Sequence, residues 1–138
     1  MCLTLSVELP MKKSEAELIV SRYNSVRLDF HFDGTTSFLG RANPRLSISE
    51  KGEGCACSML TDEADWNAQT WDIRKEVLPD LALALLFISE RALNGYKIEA
   101  IWAGDKPEKD IEVSLNELLE IVQKNQIGTK ARYIVAAA

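Results

Sequence analysis

Apolar and polar residues alternate with a period of two in several stretches of the chain. In Leu3–Leu9 the residues Leu3, Leu5, Val7 and Leu9 fall on one side and Thr4, Ser6 and Glu8 on the other, the pattern of a half-buried strand. Pro10 closes it. Over residues 26–32 the same parity sets Val26, Leu28, Phe30 and Phe32 toward a core and Arg27, Asp29 and His31 toward solvent. Asp33-Gly34 then reads as a turn, 35–45 as loop, and 46–50 as a short strand. Residues 51–54, Lys-Gly-Glu-Gly, read as a hairpin turn into a further strand at 55–60. Strands are also expected at 96–102 and 131–135, with a short one at 111–113.

Three segments follow the helical period instead. Ser14 and Glu17 have the spacing of a capping box, and Ala16, Ile19, Val20 and Tyr23 form one stripe, so a helix is expected from about Glu15 to Tyr23. Ser114 and Glu117 repeat the signal ahead of Leu115, Leu118, Leu119 and Val122, with Gly128 as the stop. The main helix lies somewhere between Trp71 and Leu93, with Thr70 as candidate cap and Asn94-Gly95 as stop. Every residue from Leu81 to Ile88 is apolar, so this helix is buried on most sides. Pro79 either kinks one long helix or opens a shorter one. The stretch 61–72 has no period and reads as loop.

The order β-α-β-β-β-α-β-(β)-α-β predicts an α+β fold: a mixed or antiparallel sheet with three helices on one face. Residues 3–102 can be read as a ferredoxin-like β-α-β-β-α-β core with a helix and a strand appended. A length of 138 residues suits one domain, 1–138. No signal peptide or membrane span is read, since the longest apolar run is Leu81–Ile88. With three cysteines and no such signal, a cytoplasmic location with reduced thiols is expected.

Charge narrows the partners. A net charge of −5 with scattered Lys and Arg argues against nucleic acid. Acids are densest from Asp62 to Asp80, where Asp62, Glu63, Asp65, Asp72, Glu76 and Asp80 face Arg74 and Lys75. That segment is either a solvated surface or a docking patch for a basic partner.

Candidate chemistry is thin. On a strand, Cys55, Cys57 and Met59 share a face, which points to buried structural thiols rather than a redox pair; a Cys-x-x-Cys motif at a helix start is absent. Cys2 shares the parity of Thr4, Ser6 and Glu8, and an N-terminal nucleophile there requires removal of Met1. His31 is the one histidine, with Asp29 two residues away to orient it, so any Cys–His or Ser–His arrangement must pass through it. No cofactor or metal motif is present. Trp66, flanked by Asp65 and Asn67, together with Trp71 and Trp102, forms the best candidate binding set. The expectation is a non-catalytic protein-binding or regulatory module, immunity-type by analogy of size and charge, meeting a protein partner or a second copy of itself. The alternative is a small enzyme or ligand binder with a pocket near Trp66, Trp102, His31 and Cys57.

Overall fold

The structure is a computed structural model. It describes residues 3–38, 41–53, 55–65 and 67–137, and over 33–38 and 41–42 the backbone alone. Among the described residues the chain forms six strands and three α-helices: β1 (Leu3–Glu8), α1 (Lys13–Arg22), β2 (Leu28–Phe38), β3 (Arg41–Glu50), α2 (Leu78–Ser89), β4 (Tyr96–Trp102), β5 (Lys109–Val113), α3 (Leu115–Gln123) and β6 (Ala131–Val135), with a 3₁₀ turn at Ala56–Met59. The fold class is α+β. The sheet order is β2-β3-β1-β4-β6-β5, and each neighbouring pair is antiparallel except β5 and β6, which run parallel.

Period-two alternation sorts the side chains to two faces. Leu5, Val7, Leu28, Phe30, Leu46, Ile48, Ile98, Ala100 and Tyr133 lie buried in one cluster. The three helices cover this face. Leu81 and Leu85 of α2 and Leu118 and Val122 of α3 border the same small internal void as Leu5, Ile98, Ala100 and Tyr133. Tyr23, capping the end of α1, stacks on Phe30 with ring centroids 3.9 Å apart. No helix among the described residues is long and apolar enough to cross a membrane.

Several sequence expectations are corrected. The strand expected at 55–60 is the 3₁₀ turn: Leu60 N–H donates to the Cys57 carbonyl at 3.1 Å, and Ala56 and Met59, three residues apart, are the buried pair. Cys55 and Cys57 are therefore half-buried rather than fully buried, with Cys57 packed against the core. The turn expected at Asp33-Gly34 and the loop expected over 35–45 are strand where described: β2 runs on through a register irregularity between Phe32 and Thr35, and pairing with β3 resumes at Thr35 and Pro44. Val26 precedes β2 and is 97% exposed, because the Ser25 hydroxyl accepts from the N–H groups of Arg27 and Leu28 and turns the chain there. Ser14 lies inside α1, whose N-cap is Lys12 without a side-chain bond. α2 starts at Leu78 with Pro79 in its first turn, which selects the shorter helix, and it ends at Ser89. The Ser114–Glu117 capping box does form, with Glu117 N–H to Ser114 Oγ at 3.1 Å and Ser114 N–H to Glu117 Oε1 at 3.0 Å.

Gly95 closes the path into β4 with φ +86, and a Cβ there would stand 2.5 Å from the Val135 carbonyl oxygen. Only glycine permits that approach of the 90–95 turn to the end of β6.

Candidate functional site

The segment between β3 and α2 is irregular in backbone yet heavily tied down. Arg74 is its clamp. Its guanidinium donates to both carboxylate oxygens of Glu50 at 3.1 and 3.3 Å and to the Ser58 carbonyl at 2.7 Å, while its N–H reaches the Met59 carbonyl at 2.8 Å. This fastens the 3₁₀ turn to the end of β3. Farther along, Asn125, at φ 56, brackets Ile73: Ile73 N–H donates to Asn125 Oδ1 at 3.0 Å, and Asn125 Nδ2 donates to the Ile73 carbonyl at 3.0 Å. Thr129 Oγ1 donates to the Ala68 carbonyl at 2.9 Å. The loop 61–73 is thereby held between the 3₁₀ turn and the chain after α3.

That suspension builds a pocket. Its volume is about 210 Å³, and its walls include Cys57, Asp62, Asp65, Trp71 and Trp102. Trp71 and Trp102 meet edge to face, with centroids 5.0 Å apart at 87°. The Trp71 indole N–H is satisfied by the Ala100 carbonyl at 2.8 Å, which locks the ring against β4. Cys57 Sγ accepts the Leu3 N–H at 3.0 Å, so its sulfur is anchored to the start of β1. Asp65 shapes its own loop, with Oδ1 accepting from Asn67 N–H at 2.9 Å. Thr61 Oγ1 donates to Asp72 Oδ2 at 2.8 Å on the rim.

Four of the residues singled out from sequence, Cys57, Asp65, Trp71 and Trp102, thus share one cavity. Asn67 does not; it borders a separate cavity of about 470 Å³ with Gln69, Glu108 and Lys130. Trp66, Cys2 and Gly54 lie outside the described residues. His31 and Asp29 stand elsewhere. His31 pairs with Ser47 on the sheet face turned away from the helices, and it is exposed. Asp29 pairs with Ser49 on that same face. Arg27 does not extend this array; its Nε binds Asp80 Oδ2 at 2.8 Å, at the start of α2. The expected pocket joining His31 to Cys57 and Trp102 is therefore corrected: pleat parity sends His31 to one side of the sheet and Trp102 to the other. Leu60 and Thr61, which also line the pocket, were missed from sequence, and no local pattern marks them. Among the described residues no group of three or more His, Cys, Asp or Glu is placed to hold a metal ion.

Chemically the pocket sets two carboxylates beside two largely buried indoles, Trp71 at 2% and Trp102 at 9% exposed. It suits an organic cation, drawn to Asp62 and Asp65 with aromatic wall beside it. A Cys57–His31 couple does not form, so the thiol has no imidazole base. No protein family, curated protein or solved structure matches this chain.

Proposed function

We propose that the chain is a small cytoplasmic, non-catalytic protein-binding module that takes a lysine or arginine side chain of a basic partner between Trp71, Trp102, Asp62 and Asp65. The observation that carries this reading is the composition of the pocket wall: aromatic surface and carboxylates in one cavity. Size supports it. A volume of about 210 Å³ is below the roughly 300–1,000 Å³ of sites for drug-sized ligands and matches one inserted side chain. The overall charge of −5 adds attraction over distance and disfavours nucleic acid as the partner. The alternative of a thiol enzyme at Cys57 is weakened by the position of His31 on the opposite sheet face.

The test is a titration with short oligo-arginine and oligo-glutamate peptides, read by tryptophan fluorescence and calorimetry, on the wild type and on an Asp62→Asn/Asp65→Asn variant. Only the basic peptide binds, and the double variant weakens it by about 2 kcal/mol, the scale of a hydrogen bond to a charged group. Equal binding of both peptides, or unchanged affinity in the variant, would remove the pocket from the interface.

A further inference from the structure

The face of the sheet turned away from the helices carries a further cavity, separate from the two described above. Its volume is about 520 Å³. Its floor includes Ser6 and Glu8 of β1 with Lys97 and Glu99 of β4, and Arg45 and Arg132 flank them. The far wall is the loop from Gly104 to Pro107. Gly104, at φ +92, turns that loop, and Asp105 N–H donates to the Trp102 carbonyl at 2.9 Å. One strand end therefore borders both cavities, with Trp102 on one side of the sheet and Asp105 to Pro107 on the other.

Charges of both signs line this groove. The cations are Arg45, Lys97, Lys106 and Arg132; the acids are Glu8, Glu99 and Asp105. Arg45 Nη2 reaches Glu99 Oε1 at 3.2 Å, and Lys97 Nζ lies 3.8 Å from Glu8 Oε2. Arg132 grips Asp110 with both contacts at 2.9 Å. No hydrogen bond or ion pair holds Lys106 among the described residues. Because β1 separates β3 from β4, with Arg45 opposite Glu8 and Glu99 opposite Ser6, the Arg45–Glu99 pair crosses β1 diagonally beside Ser6.

Ser6 is the independent sign of a ligand. It is 2% exposed, it lines the groove, and its Oγ has no hydrogen-bond partner among the described residues. The other buried polar residues are satisfied: Ser49 Oγ donates to the Glu53 carbonyl and Thr129 Oγ1 to that of Ala68. Ser58 Oγ shares the unpaired state but is not part of this groove. An unpaired buried hydroxyl is unfavourable unless something completes it.

We propose that this groove binds a small zwitterion of the free amino acid class. The ligand's carboxylate accepts hydrogen bonds from the Ser6 hydroxyl and the Lys106 ammonium, and its own ammonium faces Glu8 and Glu99. Arg45 turns from Glu99 to the incoming carboxylate and so uncovers Ser6. Mixed charge is what the lining selects: a ligand of one sign would strand the opposite set, whereas a zwitterion exchanges partner for partner.

Calorimetric titration of the intact chain with the common L-amino acids tests this, with succinate, putrescine and inorganic phosphate as single-sign probes. At least one amino acid binds, and no single-sign probe matches it. Ser6→Ala weakens that amino acid about tenfold, the scale of one hydrogen bond to a charged group, while the unliganded variant melts at the same temperature or higher. Lys106→Ala, on an exposed loop, weakens it several-fold with the fold untouched. The proposal fails if no amino acid binds at millimolar concentration, if succinate, putrescine or phosphate binds as tightly, or if either variant keeps wild-type affinity.

Discussion

Two neighbouring rows of residues cross the whole sheet. One runs Phe32, Leu46, Val7, Ile98, Tyr133, Ile111; the other, one residue along each strand, runs His31, Ser47, Ser6, Glu99, Arg132, Asp110. The first lies on the helix side, buried from Leu46 to Tyr133 but not at the edge residue Phe32, which the sequence pattern set toward the core and which is 39% exposed; the second lies on the opposite face. Strand pairing is common to both, so their difference is purely one of side chains. Along the first, stability comes from apolar area withdrawn from water and from close packing. Along the second, Glu99, Arg132 and Asp110 are held in ion pairs, each worth little to folding, and one buried hydroxyl, that of Ser6, has no partner among the described residues. A face that contributes little to folding is free to be shaped for recognition, and the buried, unpartnered hydroxyl of Ser6 is where that freedom shows.

The largest expected effect is on the packed face. Leu5 is 3% exposed and borders the void between β1, β4, α2 and α3. Leu5→Ala should cost about 2–5 kcal/mol in urea unfolding, and Ser47→Ala on the other face no more than about 0.5 kcal/mol. Equal losses would erase the contrast. Next is Tyr96, on the packed face, whose phenol is pushed above its ordinary value by burial and partly drawn back by Ser89 at 2.7 Å. A raised acid is neutral in the folded state. Its contribution is thus intact below the unfolded value of about 10 and is lost as pH climbs through the folded one. Tyr23 is raised as well, again first by burial, so it adds to the same alkaline loss. Urea midpoints should fall above about pH 10, and Tyr96→Phe should flatten part of that decline. A Tyr96→Phe profile identical to wild type would assign the alkaline loss to other groups.

Elements whose signal is local were legible in the chain. β4 and β6 are rich in β-branched and aromatic residues and stand at their expected bounds, and α3 carries a capping box that forms as spaced. The stretch around Cys55 and Cys57 was not legible, because alternating small residues satisfy a strand and a 3₁₀ turn equally well. What decides is Arg74, which holds Ser58 and Glu50 from across the fold. The same holds for Asp33-Gly34: the dipeptide permits a turn, but the partner strand keeps β2 extended past it. The pocket was legible only in pieces. Trp71, Trp102 and Cys57 each drew attention, yet their meeting depends on contacts such as Leu3 to Cys57 and Ile73 to Asn125, separated by 54 and 52 residues. Ser6 drew none, since a serine on the polar side of a strand is ordinary until the register sets it between Ser47 and Glu99 and leaves its hydroxyl buried without a partner.

The smallest effect tests the open face most directly. Arg132 holds Asp110 with two contacts of 2.9 Å at the edge strand β5, and this hydrogen bonding lowers the Asp110 carboxyl below its ordinary value. A lowered acid contributes above its unfolded value and loses the contribution as pH falls through the folded one. Both side chains are substantially open to water, 34% and 44% exposed, so solvent screening limits the pair. Asp110→Asn should therefore cost at most about 1 kcal/mol at neutral pH, less in high salt and nothing in acid. A loss of about 2 kcal/mol or more would mean that β5 is held to the sheet by this pair rather than by its backbone ladder with β6. The open face would then be part of what keeps the chain folded, and its charges could not be exchanged for those of a ligand without loosening the edge.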